Sequence, residues 1–220
     1  MIYTTGTISL AIQFAVGVIN YLALNIKTDS KDELLNDLLT VELFVQIIEF
    51  IFYVWLIYSF NRVLKNITPF RYVDWFITTP LMLITLSAFL NHDGNKSNRL
   101  SGFLSDNSGS IVKIVGLNAS MLLFGLIGEL GYASAYVTTA LGFIPFAINF
   151  KYIKDTFLRN SDDVIKNTIF YWFVFFWSLY GIFALMNHTI KNTGYNILDI
   201  FSKNFFGLFL SYIIWSQSKS

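Results

Sequence analysis

Seven stretches of largely apolar residues, at roughly 5–25, 38–60, 71–91, 111–130, 132–151, 167–187 and 194–215, each reach the about 20 residues that a helix needs to cross a bilayer. Backbone polar groups in lipid must find partners inside the chain, so continuous helices are the expected form. The polar connections near 26–37, 61–70, 92–110, 152–166 and 188–193 are too short to hold a second fold. Residues 1–220 therefore read as a single all-α, seven-transmembrane-helix domain. Composition agrees, with 55% hydrophobic and 13% charged residues against about 45–50% and about 25% in soluble domains. A net charge of +1 argues against nucleic acid as a partner, and the absence of cysteine excludes disulfides and thiol chemistry. The first stretch has no basic leader and no small-residue cleavage site, so it reads as a retained helix.

Basic residues stay on the cytoplasmic side of a membrane. With the N-terminus outside, the inner segments hold Lys27, Lys31, Lys96, Arg99, Lys113, Lys151, Lys154, Arg159, Lys166 and Lys219. The outer segments then hold only Arg62, Lys65, Arg71 and Lys191, so the expected topology is N-terminus outside, C-terminus inside. Alternating helices with short loops do not name a function, and the charges within the spans must do so.

Five such charges stand out: Glu42, Glu49, Asp74, Asp199 and Lys203. Each costs at least ~2.5–3.5 kcal/mol at bilayer depth, which marks it as a functional candidate with a partner to be found. Lys203 sits mid-span in YNILDIFSKNFFGLFLSYIIW, and Asp199 lies one turn earlier on the same face, so the two are expected to pair. A bare internal salt bridge rarely stabilises more than apolar packing would. A desolvated lysine amine is instead suited to condensing with an aldehyde. The resulting protonated Schiff base needs carboxylate counterions close by, and Asp199 and Asp74 are the candidates. Arg71, Asp74, Thr78 and Thr85 share one face of the third helix, which Pro80 is expected to kink.

The segment RYVDWFITTPLML resembles the third-helix signature of microbial rhodopsins, and LDIFSK resembles their retinal-attachment motif. FWSLYG, with Trp177 and Tyr180, is similar to the aromatic wall of the family's sixth helix, with Gly181 where proline is usual. IVKIVGLNASMLLFGLIGEL is similar to the fourth helix and gives Met121 and Gly125 the places that touch polyene and ring. The resemblance implies all-trans retinal as a protonated Schiff base on Lys203, with Asp74, Asp199, Arg71 and Thr78 around it. Trp75, Thr79, Met82, Thr139 and Gly142 complete the implied pocket, and apolar Met82 favours green over blue absorption. Most other Phe and Tyr read as lipid-facing bulk or interfacial belt. The family's members assemble into trimers or pentamers, so a homo-oligomer is compatible with the chain.

The outward proton pumps of this family carry a carboxylate eleven residues after the position of Asp74, where this chain has Thr85. A hydroxyl cannot store and deliver a proton at neutral pH. The connection before the seventh helix, NHTIKNTGYN, holds no acid, and Glu129 is the nearby carboxylate. Asp74 is unlike the chloride pumps, and the third helix lacks the Asn-Asp-Gln set of the sodium pumps. The second helix carries a polar stripe of Glu42, Gln46, Glu49 and Tyr53, and the first repeats it with Ser9, Gln13 and Asn20. With Asn204, these residues would line a hydrated cation path, because polar side chains at depth face cavities rather than lipid. Ser9, Glu42, Glu49 and Asn204 resemble the set found in group 1 viral rhodopsins, described as light-gated cation channels. Asn118 opposite Thr79 is similar to an interhelical gate of other rhodopsins. The expectation is thus a non-enzymatic, retinal-binding, multi-pass membrane protein, in a host cell membrane if viral. It conducts cations in light, the alternatives being an outward proton pump or a sensory photoreceptor.

Overall fold

The computed structural model describes residues 1–26, 33–92, 99–159 and 162–217. Lys27, Lys31, Lys96, Lys219 and the side chain of Lys65, all used to orient the chain, lie outside the described residues. In chain order the helices are α1 (Ile2–Leu24), α2 (Glu33–Tyr58), α3 (Phe60–Val63), α4 (Ile67–Asn91), α5 (Leu100–Asp106), α6 (Ser108–Glu129), α7 (Ala135–Phe157), α8 (Val164–Ala184) and α9 (His188–Gln217). Seven are long, one for each apolar stretch, and no strand occurs among the described residues.

Six of the long helices are both long and apolar enough to cross a membrane by length and composition. The seventh, α7, has the length, but Thr138, Thr139, Asn149 and Lys151 dilute its hydropathy. The ends differ from the sequence expectation where polar residues prolong a helix past the apolar run. α9 begins at His188 rather than near residue 194, and its 30 residues span about 45 Å at 1.5 Å per residue, well beyond a hydrocarbon core of about 30 Å. The expected loop near 92–110 contains α5, anchored by Phe103 against Phe157 and by Arg99 and the Leu100 amide on Asp37. The connection near 61–70 is taken up by α3, a 3₁₀ turn at Leu64–Asn66 and the start of α4. α4 runs through Pro80 without interruption. Gly131, at φ 76°, turns the chain between α6 and α7, a conformation that favours glycine.

The long helices close into a ring: α1 packs on α2 and α9, α2 on α4, α4 on α6, α6 on α7, α7 on α8 and α8 on α9. The polarity is inside out relative to a soluble protein. Phe14, Ile51, Val73, Val112 and Tyr212 are exposed, whereas Ser9, Gln13, Glu49, Arg71, Thr78 and Thr85 are wholly buried. That arrangement is stable in lipid and not in water. The chain is an integral, multi-pass membrane protein.

α4 is the most enclosed of the six apolar spans and α9 the next. These two helices carry Arg71, Asp74, Asp199 and Lys203. Most Phe and Tyr are not buried, as expected, but a substantial minority face inward. Phe52, Phe89, Phe103, Phe150, Phe157, Phe170, Phe173 and Phe206 are buried, as are Tyr53, Tyr72 and Tyr195. Packing rather than hydrophobicity holds helices together in lipid, and large flat side chains fill interhelical space well. Most of these phenylalanines join a core cluster with Leu34, Leu35, Leu38, Leu39, Leu86 and Leu210.

Candidate functional site: a buried lysine at the end of an apolar cavity

Lys203 is almost fully buried at the middle of α9. Its Nζ donates to Asp74 Oδ2 at 2.5 Å and also to Glu49 Oε2. The second oxygen of each carboxylate, Glu49 Oε1 and Asp74 Oδ1, is buried without a hydrogen-bond partner among the described residues. Glu49, expected along the ion path, therefore stands directly on the lysine. α2 packs against both α4 and α9, which brings its polar stripe to the lysine rather than alongside it.

Asp199 differs from expectation in the opposite sense. Among the described residues no ion pair within 4.0 Å joins it to Lys203. It accepts from Arg71 Nη1 at 3.1 Å, Tyr53 at 2.6 Å and Tyr180 at 2.7 Å. A one-turn spacing makes Asp199 and Lys203 neighbours on α9, but three donors on α4, α2 and α8 turn the carboxylate toward Arg71. Arg71 also donates to Asn192 at 3.3 Å and to Asn196, and Asn196 in turn donates to the Ile2 carbonyl at 3.0 Å and Thr5 at 2.9 Å. Asn192 and Asn196 were not singled out in the sequence. With Asp199 and Lys203 they recur at intervals of four, three and four residues, a polar stripe legible on α9 by the same rule applied to α2.

A cavity of about 790 Å³, counting space open to solvent, leads away from Lys203 between α4, α6, α7 and α8. All nine further residues expected to wall a chromophore line it: Trp75, Thr79, Met82, Met121, Gly125, Thr139, Gly142, Trp177 and Tyr180. Phe143, Phe146 and Gly181 line it too and were not expected. Their signal is spatial: a Cβ on Gly181 would meet the Phe143 ring at 2.6 Å, so the missing side chain is what lets Phe143 reach the cavity. Trp75 meets Tyr180 edge to face at 5.5 Å, and Trp177 stands against Phe150 and Phe173 at 5.9 Å each. A long apolar slot with rigid aromatic walls, closed at one end by an amine, fits retinal in shape and chemistry.

Thr78 donates to the Asp74 carbonyl at 3.0 Å and Thr79 to the Trp75 carbonyl at 2.7 Å, so neither hydroxyl donates to the Asp74 carboxylate. Asn118 donates to Thr79 Oγ1 at 2.8 Å, joining α6 to α4. Toward the other end, Thr85 donates to Glu42 Oε1 at 2.5 Å. Gln46 donates to Asn204 at 2.9 Å and to Gln13, linking α2, α9 and α1. Ser9 Oγ, Gln13 Nε2, Asn20 Nδ2 and Glu42 Oε2 are buried without partners among the described residues. Glu129, the carboxylate nearest the acid-free connection, is paired with Lys191 at 2.6 Å.

The viral rhodopsin OLPVRII has a crystal structure that superposes with a TM-score of 0.85 at 30% identity, covering 98% of both chains. Green-light absorbing proteorhodopsin of Gamma-proteobacterium EBAC31A08 is 27% identical over 168 residues, 68% of this chain and 60% of that protein. Bacteriorhodopsin of Halobacterium salinarum is 26% identical over 160 residues, 64% of this chain and 54% of that protein. The matches thus span less than two thirds of the length of these two relatives. The family model described as bacteriorhodopsin-like protein matches residues 4–217, and the chain belongs to that retinal-binding family of microbial rhodopsins.

Proposed function

We propose that the protein is a light-gated cation channel whose chromophore is retinal on Lys203. The carrying observation is the seam of buried polar side chains between α1, α2, α4 and α9. It runs from the Arg71–Asp199 network past Glu49 and Lys203 to Gln46, Asn204 and the Glu42–Thr85 pair. Unpaired buried polar atoms on Ser9, Gln13, Asn20 and Glu42 supply hydrogen-bonding groups that water or a partly hydrated cation would use. Two cations, Arg71 and Lys203, face three carboxylates, Glu49, Asp74 and Asp199, which favours cation over anion transit.

Retinal bound to Lys203 as an all-trans protonated Schiff base supplies light absorption and a bond that isomerises on excitation. Asp74 and Glu49 balance the charge on Lys203 and hold its nitrogen between α2 and α4. Asp74 Oδ2, 2.5 Å from the Lys203 nitrogen, would take up a proton released there. Asp199, fixed by Arg71, Tyr53 and Tyr180, keeps the opposite side of the site in place. Trp75, Trp177 and Tyr180 confine the polyene, and Thr79 and Met82 flank it. Gln46 and Asn204 form the constriction that a displacement at Lys203 opens, and Glu42 with Thr85 forms the next one. The N-terminus faces outward, which puts Arg99, Lys113, Lys151, Lys154, Arg159 and Lys166 on the cytoplasmic side with Glu42.

An outward proton pump is the second reading, and the Glu42–Thr85 contact favours it. Glu42 brings a carboxylate from α2 to the α4 position that lacks one, and leucines enclose that end as they would a proton donor. Photocurrent measured against voltage under swapped ion gradients separates the two. A channel gives a reversal potential that follows the gradients. A current of one sign at all voltages sinks the channel reading, and the absence of any light-dependent current leaves a photoreceptor.

A further inference from the structure

Resting on the retinal reading of Lys203, we propose that the site selects a retinal whose ring carries an oxygen substituent, received in a polar annex beyond the apolar slot. The annex is a second cavity of about 340 Å³, counting space open to solvent, between the end of α6 and the starts of α7 and α9. It shares Tyr72, Gly125, Thr138, Thr139 and Ala184 with the wall of the main cavity. Lys191, which lines only the annex, precedes Lys203 by twelve residues on α9, about 18 Å along the helix axis. The annex thus adjoins the slot through α4, α6, α7 and α8 and does not include Lys203, and a chromophore ring held between α6 and α7 would face it.

Its chemistry differs from that of the slot. The Tyr72 hydroxyl belongs to a side chain only 6% exposed, and it makes no hydrogen bond among the described residues. The Thr138 hydroxyl makes only long contacts, 3.2 and 3.3 Å, to carbonyls of its own turn. Two glycines one turn apart on α6 keep these hydroxyls close. A Cβ on Gly125 would stand 2.5 Å from Tyr72 Oη, and one on Gly128 would collide with Thr138 Oγ1. Glu129 and Lys191 close the far wall with their 2.6 Å ion pair, both side chains largely buried.

A hydrocarbon ring would leave the Tyr72 hydroxyl and the open edge of the ion pair without partners, at the cost of desolvated polar groups. A ring hydroxyl or ketone accepts from Tyr72 or Lys191, and a hydroxyl also donates to Glu129. The binding is non-covalent at this end and needs no co-reactant.

The test is competition. The full-length apoprotein in lipid is given equimolar all-trans-retinal and all-trans-3-hydroxyretinal, and the chromophores taken up are released and quantified. One added neutral hydrogen bond predicts about a threefold to tenfold preference for the hydroxylated form. Tyr72→Phe and the double variant Glu129→Gln/Lys191→Gln are expected to bring that ratio to near one. The ratio is internal to each sample, so a loss of folded protein does not mimic the effect, and Tyr72→Phe keeps the ion pair intact. Equal uptake, uptake of plain retinal alone, or a preference that survives both variants overturns the proposal and leaves the retinal reading standing, with the annex holding water only. Uptake of neither chromophore overturns both.

Discussion

The two ends of the polar seam are built differently. At the Arg71 end, Arg71, Asp199, Tyr53, Tyr180, Asn192 and Asn196 bond to one another across α1, α2, α4, α8 and α9. At the Glu42 end, one 2.5 Å contact joins Glu42 to Thr85 and a separate one, Ser211 to Asn20 at 3.0 Å, joins α9 to α1, with no bond between the two pairs among the described residues. A dense network of charge-assisted bonds has one favoured arrangement and resists displacement. An isolated contact separates without stranding a network. In the proposed channel, opening is therefore cheapest at the sparse end: a disturbance at Lys203 would move that end, with the Arg71 end as the fixed wall.

The largest expected effect lies at the junction of the two ends. Lys203→Ala removes the only amine at the cavity's closed end among the residues lining it, so visible absorbance after retinal addition is abolished. Colour that survives this substitution would place the chromophore elsewhere. Next is the dense end, where Arg71→Gln leaves Asp199 buried without its cation and is expected to destabilise the folded state by about 3–5 kcal/mol, read by thermal loss of the absorbance band. A variant as stable as the parent would mean that the network is not the rigid wall.

Removing the contact at the sparse end is expected to matter less for stability and more for current. Thr85→Val leaves a buried carboxylate oxygen unpaired, a cost of about 1–3 kcal/mol. Its dark spectrum should match the parent while the decay of the photocurrent changes, and a shifted spectrum with unchanged decay would reverse the contrast between the ends. The smallest effect is at the constriction, where Gln46→Leu removes interhelical hydrogen bonds worth about 0.6 kcal/mol each in lipid. Photocurrent amplitude should nonetheless fall sharply, because an apolar side chain replaces groups that would hydrate a passing cation. Currents equal to the parent would put the path away from Gln46.

Much of the site was legible because membrane insertion makes every intramembrane charge conspicuous. Lys203 and Asp74 stand out on that ground alone, and the motifs around them supply Arg71, Trp75, Trp177 and Tyr180. What sequence reasoning missed lay in partnership. It paired Asp199 with Lys203 because the spacing along one helix is visible, whereas the donors on α2, α4 and α8 that draw Asp199 away are not. Asn192 escaped because the residues before 194 read as a loop, and Asn196, inside the span, because an uncharged amide is less conspicuous there than a charge, although both continue the α9 stripe. The buried phenylalanines escaped for a related reason: hydropathy does not distinguish a side chain facing lipid from one facing another helix.

The class, the helical spans and the buried lysine proposed to hold the chromophore are readable along the chain, because a bilayer admits so few backbone arrangements and tolerates so few charges. Which carboxylates stand on that lysine is set by the fold. Glu49 and Lys203 are 154 residues apart, and no periodicity along either helix specifies the rotation at which α2 meets α9. Packing sets that rotation, and with it whether a glutamate lies along a path or against the switch.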